Sequence, residues 1–233
     1  MLGQDEIRES EDRLFQRWRD HWNKNDRVFL PDGAMPDFAA QPFRLVFALK
    51  EGNDPDGSWV IEDKGDLREA WSWGFAQVNT WQQLARWADF ILRGGTAKQS
   101  TALSTEATTA VLKKIACFNL KKQPGGSAEK YGQVRKAAKE DALFIKEQIS
   151  LYQPHLIVCC GTFSILEEIF DISADRRYSY KDMITGDDMN FFNGPALCRV
   201  MDFWHPQQRK KTTEYLHGRL VNNLNYLRAG NIP

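Results

Sequence analysis

The chain has 233 residues, 31 basic against 31 acidic side chains, 42% hydrophobic residues and four cysteines. This length accommodates one domain or two, and the apolar fraction supplies a full core, so disorder over most of the chain is excluded. Zero net charge excludes a protein that coats nucleic acid through bulk charge, and leaves open one whose charge is segregated in space.

In chain order, Glu6 to Asn25 places Ile7, Leu14, Phe15, Trp18 and Trp22 on one face of an otherwise charged helix. Leu30 to Pro42, with prolines at 31, 36 and 42, reads as an irregular connection. Arg44 to Leu49 is a short apolar run that predicts a buried strand, leaving through a Gly-Asn-Asp-Pro turn. A turn-rich segment, Gly57 to Gly65, precedes an aromatic patch at Trp71, Trp73 and Phe75. A helix is predicted from Thr80, which has capping-box spacing with Gln83, to Gly94-Gly95. Thr105 to Lys114 predicts a short helix, Ile115 to Asn119 a strand, and Gln123 to Ser127 a loop before one long helix, Glu129 to Tyr152. His155 to Cys160 is the clearest buried strand, and Gly161-Thr162 turns directly into a helix carrying Phe163, Leu166 and Ile169. A hairpin is expected within Tyr178 to Pro195, a strand over Ala196 to Phe203, and a closing helix from Gln208 to Leu227.

Alternating strands and helices predict the α/β class: a three-layer α/β/α domain on a central, mainly parallel four-stranded sheet. No linker or repeat divides the sequence, so a single domain over 1–233 is expected, with 1–42 packed on it as a helix and irregular connection. No run approaches the ~18 apolar residues of a membrane helix, and the first residues lack the apolar core of a signal peptide. A cytoplasmic monomer without membrane contact is expected. Cys117, Cys159, Cys160 and Cys198 lie in apolar, strand-like runs, as buried thiols do in a reducing compartment. They lack paired spacing, and Cys159 and Cys160 point to opposite faces of a strand, so no metal site is expected. Glycine-rich dinucleotide and Walker loops and the Gly-x-Ser-x-Gly elbow are absent, and no cofactor is expected.

Functional groups in such sheets gather at the carboxyl ends of the strands. There this chain carries Gly52-Asn53-Asp54-Pro55, Phe118-Asn119-Leu120, Gly161-Thr162 and His205-Pro206-Gln207-Gln208-Arg209. The first, second and last of these, in this order over residues 44 to 225, resemble the motifs of the uracil-DNA glycosylase superfamily. The resemblance implies a DNA glycosylase of that fold, with Asn119 reading the base and His205 opening the His-Pro loop. Two departures stand out. Asp56-Gly57 occupies the place where the uracil-specific branch carries a bulky aromatic, which implies room beside C5 of the base. The loop after Pro206 lacks the usual Ser and wedge Leu. Some relatives in bacterial antiphage defence act on glucosylated hydroxymethylcytosine, so a bulky 5-substituted cytosine of phage DNA is a candidate substrate.

Cleaving an N-glycosidic bond builds positive charge on the sugar and negative charge on the departing base. Asp54 would stabilise the first and orient a water, and His205 would donate to the base oxygen as charge develops there. Asn119 offers a donor and an acceptor to a pyrimidine edge, with Asn53 beside the first motif and Trp71, Trp73 and Phe75 as stacking candidates for an extruded base. No lysine stands in a motif position for Schiff-base chemistry, so a monofunctional hydrolase is expected. Glu51 reads as a solvated turn residue, and His21, His155 and His217 as structural.

Between residues 113 and 139, Lys113, Lys114, Lys121, Lys122, Lys130, Arg135, Lys136 and Lys139 face a single acid, Glu129. With Gln207, Gln208, Arg209, Lys210 and Lys211 they form the expected DNA-contacting set, led by Lys121 and Lys122. Two alternatives remain open: a catalytically silent nucleic-acid-binding module, and a hydrolase of free nucleosides or nucleotides.

Overall fold

Side chains alternate between two buried faces along four apolar strands, and this pattern organises the molecule. The computed structural model describes residues 2–22, 28–53, 66–72, 75–95, 102–125, 131–173, 176–181, 188–194, 198–208 and 210–229. Its strands are β1 (Gly33–Ala34), β2 (Leu45–Asn53), β3 (Ala116–Gly125), β4 (Leu156–Cys160), β5 (Arg177–Lys181), β6 (Asp188–Asn193) and β7 (Arg199–Phe203). They form one sheet in the order β1-β3-β2-β4-β7-β6-β5. Among the described residues the sheet therefore has seven strands where the sequence predicts four. The four predicted strands are the parallel centre, β3-β2-β4-β7. The two-residue β1 adds antiparallel to β3 at one edge, and the β5–β6 hairpin adds antiparallel to β7 at the other.

The helices are α1 (Gln4–Trp22), α2 (Asn79–Leu92), α3 (Thr105–Leu112), α4 (Tyr131–Glu140), α5 (Ala142–Tyr152), α6 (Phe163–Ile169) and α7 (Thr213–Arg228). Leu45, Phe47 and Leu49 of β2 pack with Val158 of β4 against Leu84 and Trp87 of α2, Leu112 of α3 and Leu220 of α7. Val46 and Ala48, one residue out of phase, pack with Phe118 and Ile157 against Leu14 and Trp18 of α1, Val134 of α4, Ile149 of α5 and Leu166 of α6. Helices thus cover both faces. Each such side chain contributes about 1.5–3 kcal/mol on burial, and a one-residue slip would exchange both sets at once.

Three element boundaries differ from the sequence reading. The long helix predicted over 129–152 is two helices, α4 and α5, parted at Asp141, whose buried carboxylate accepts from the Trp22 indole at 3.0 Å. β3 runs on through Lys121 and Pro124 to Gly125 instead of ending at Asn119. Proline is tolerated there because the β2–β3 register shifts between Lys121 and Gly125, so Pro124 lies at an irregularity in the ladder. The predicted Thr80–Gln83 capping box does not form: α2 starts at Asn79, its N-cap is Val78, and no side chain caps it.

All four cysteines are free and buried. Among the described residues, no helix is long and apolar enough to cross a membrane. In the parallel centre the chain lays β3 on one side of β2, and β4 and then β7 on the other. The strand order reverses at β2 and β4, and the crevice outside their carboxyl ends is where such sheets build sites.

Candidate functional site

A cavity of about 150 Å³ opens at that carboxyl edge, between β2, β3, the start of α2 and the loop after β7. Its walls include Leu49, Glu51 and Gly52 of β2, Asn119 of β3, Thr80 and Trp81 of α2, and His205 and Gln207. The register explains the floor: Leu49 sits beside Asn119, and Glu51 beside Lys121 one rung further on, all on the α2 side of the sheet. The Lys121 ammonium holds the Glu51 carboxylate at 3.0 Å. At Gly52 a Cβ would approach a Leu30 methyl to 2.6 Å, so a larger residue there would have to displace the end of that side chain.

Asn119 is 3% exposed, and its side-chain oxygen is buried without a hydrogen-bond partner. An unpaired amide in a protein interior costs free energy. Other buried polar atoms of the described residues are unpaired too, among them Thr108 Oγ1 and both side-chain atoms of Asn223; Asn119 differs in lining a cavity. The Asn119 backbone is held rigidly. Beyond β1 the open side of β3 would leave its N–H unpaired, and the Asp32 carboxylate accepts it at 2.7 Å, replacing the missing rung. Asp32 also receives the Lys122 ammonium and, at 3.0 Å, the Gln148 amide. Gln148 meets the Tyr152 hydroxyl, which donates to Glu11 at 2.7 Å, and Glu11 is paired with Arg68 at 3.2 Å. A buried polar chain therefore runs from α1 to the floor of the cavity. Burial raises the Glu11 carboxyl to about 7, against the opposing pull of Arg68.

His205 lies two residues beyond the end of β7. Burial, reinforced by the Lys50 ammonium, lowers its pKa to about 4. Its Nδ1 accepts the Gln207 N–H at 3.2 Å, so the neutral ring carries its proton on Nε2. Gly161, at φ +71°, turns the chain between β4 and α6 in a conformation suited to glycine, and a Cβ there would lie 3.6 Å from Lys50 and 3.9 Å from His205. The carboxyl ends of β2, β4 and β7 thus meet around His205. Together, a neutral N–H donor and an unpaired amide border a cavity that holds one six-membered ring, since a cavity of about this size takes up benzene.

Of the predicted site residues, the structure brings Asn119, His205 and Gln207 together. Asp54, Trp73 and Arg209 lie outside the described residues, and Asn53 and Phe75 are described in their backbone only. Trp71 is not among the described walls: it packs on the core beside α3 with the Lys113 ammonium 4.1 Å from its ring centre, and Trp81 stands at the cavity instead. Nothing in local sequence separates these two tryptophans, whereas Trp81 gains its place from the way α2 docks.

The basic segment requires the larger correction. Lys122 is fully buried on Asp32 and cannot meet a phosphate. Lys121 is bound to Glu51, which is a strand residue and not a solvated turn. Arg135 and Lys139 share Glu168 at 2.8 and 2.7 Å, and Lys136 faces Glu140 at 3.9 Å. Lys113 and Lys114 precede β3, at the opposite edge of the sheet from His205. Four of the eight, Lys121, Lys122, Arg135 and Lys139, are thus paired with acids from other elements. Gln208 is also committed, since its amide bonds both the N–H and the carbonyl of Lys211 at 2.8 and 2.9 Å, closing its own loop. Lys210 is exposed, and the Lys211 ammonium lies 4.3 Å from the Tyr215 ring centre.

The fold and site define an α/β protein with a largely apolar, ring-sized cavity, edged by a few polar groups, at the switch point of its parallel strands. No family model matches the chain, and no curated protein matches it in sequence.

Proposed function

We propose that the chain is a monofunctional DNA glycosylase that takes a flipped pyrimidine into this cavity and hydrolyses its N-glycosidic bond, leaving an abasic site. The observation that carries the reading is the buried, unpartnered Asn119 side-chain oxygen on the same ring-sized cavity as the neutral His205. Asn119 pairs with the polar edge of the base. His205 donates to the base oxygen, and this bond strengthens as negative charge develops on leaving. A neutral imidazole suits that role, because it donates without trapping the departing anion as an ion pair. Asp54 follows directly on β2 in the chain, and the same reading gives it the sugar cation and the water. The described walls hold a single ring, so a glucosylated cytosine would need space beyond them.

The test is mass spectrometry of bases released from uracil-containing and phage-modified DNAs by the wild type and by Asp54→Ala. Release that Asp54→Ala abolishes while DNA binding persists supports the glycosylase. No release from any DNA by the wild type sinks it and leaves a binding module.

A second reading, hydrolysis of free nucleosides or nucleotides, is favoured by the pairing of Lys121, Lys122, Arg135 and Lys139 with acids, which reduces the charge left for a phosphate backbone. Hydrolysis of free nucleosides at a rate indifferent to salt would select it, because DNA binding weakens steeply with salt.

A further inference from the structure

Thr80 is a half-buried residue whose hydroxyl oxygen is itself buried and, like those of Thr108 and Tyr215, finds no partner in the fold. A buried hydroxyl without a partner lowers stability, and valine would fill the same volume without that cost. Helix capping is not the reason, since Thr80 lies inside the first turn of α2 and Val78 occupies the N-cap. Thr80 instead lines the cavity, reaching it from the helix layer while Asn119 reaches it from the sheet. A cavity filled by one ring presents a single occupant to both groups.

The electrostatics of the same wall have a definite sign. Val78 has no side-chain oxygen to accept from the first turn, and α2 carries no acidic residue there, so the positive end of a 14-residue helix is left without a carboxylate at this wall. Glu51, the carboxylate among the described walls, is held by Lys121. The buried, unpartnered Asn119 side-chain oxygen is the independent sign that the cavity receives a polar ligand.

We infer that Thr80 is a specificity-determining residue, whose hydroxyl donates to an oxygen on the edge of the ligand ring turned away from Asn119. The selected class is a monocyclic base carrying a carbonyl or hydroxymethyl oxygen at that edge, in preference to one presenting a methyl group. The inference rests on the base-pocket reading above and adds a second recognition edge to it.

Thr80→Val removes the oxygen and keeps the shape, and Thr80→Ser keeps the oxygen. Free uracil, thymine and 5-hydroxymethylcytosine are titrated into each protein by ligand-observed NMR, alongside single-turnover base release from DNA and thermal melting. Thr80→Val is expected to weaken binding of the preferred oxygen-bearing base, and to slow its release, by roughly fivefold, the worth of one hydrogen bond. Thr80→Ser should stay within about twofold of wild type on the same scale. Thr80→Val should melt no lower than wild type, because the hydroxyl it loses has no partner in the fold. Binding and release by Thr80→Val equal to wild type would overturn the inference and leave the base pocket standing. A melting point for Thr80→Val several degrees below wild type would also overturn it, since the hydroxyl would then serve the fold. If the wild type neither binds a pyrimidine nor releases one, the base pocket itself fails, and the inference with it.

Discussion

Lys122→Met separates a structural lysine from a DNA-contacting one. The side chains of Lys122 and Asp32 are 0% and 2% exposed, so the variant leaves a carboxylate buried without its countercharge. Breaking a buried pair from one side costs about 3–5 kcal/mol. Asp32 keeps two further donors, the Asn119 N–H at 2.7 Å and the Gln148 amide at 3.0 Å, which places the loss near the lower end, at about 3 kcal/mol. For a chain of this size each kcal/mol moves the midpoint by roughly 2–4 °C, so the melting point should fall by about 6–12 °C. Thermal and urea melts followed by circular dichroism measure it. Asp32→Asn combined with Lys122→Met removes both charges and should recover most of the loss, because the cost lies in the stranded carboxylate and not in the missing attraction. DNA affinity, measured below the melting range, should be unchanged by Lys122→Met. A Lys122→Met variant that melts within about a degree of wild type, or that weakens DNA binding with stability intact, would instead show a lysine free to reach DNA.

Two further outcomes follow from buried titratable groups. Glu11 has a folded pKa of about 7 against an ordinary 4.5, so between these values the folded chain keeps a proton that the unfolded chain has released. Stability should therefore fall as pH rises through that window, by about 3 kcal/mol, and level off above it; Glu11→Gln should remove this slope, and urea titrations at pH 5 and 8 decide the matter. His205, with a pKa of about 4, should remain neutral at pH 6 with its proton on Nε2. Long-range nitrogen–proton NMR of the imidazole over pH 4 to 8 checks this, and a ring that titrates near 6.5 would remove the neutral-donor role.

Much of the fold is legible locally. The four parallel strands are short apolar runs with turn residues at their ends, and both sheet faces follow from alternation in stretches such as Leu45 to Leu49. Asn119 and His205 are identifiable as polar residues at strand ends, which in a parallel sheet share one edge. The extra edge strands are less legible, because β1 is two residues long and is set by its pairing to β3. Glu11 shows the same limit from the opposite direction: it lies within the apolar stripe of α1, and only Arg68, Tyr152 and the Ala34 N–H make that position tenable.

The zero net charge and the run of lysines around β3 are properties of the sequence alone, and they establish that any charged face must be built by segregation. Which of those lysines remain at the surface is decided by tertiary structure. Lys121 and Lys122 are neighbours in the chain, yet alternation along β3 sends one to Glu51 at the cavity rim and the other into the core on Asp32. The same holds for Trp71 and Trp81, and for Thr80, whose hydroxyl looks like a cap in sequence and lines the cavity in the fold. Strand and helix periods follow from a residue's near neighbours in the chain. The partner of a charge, a ring or a hydroxyl comes from elements tens of residues away, and packing alone brings them together.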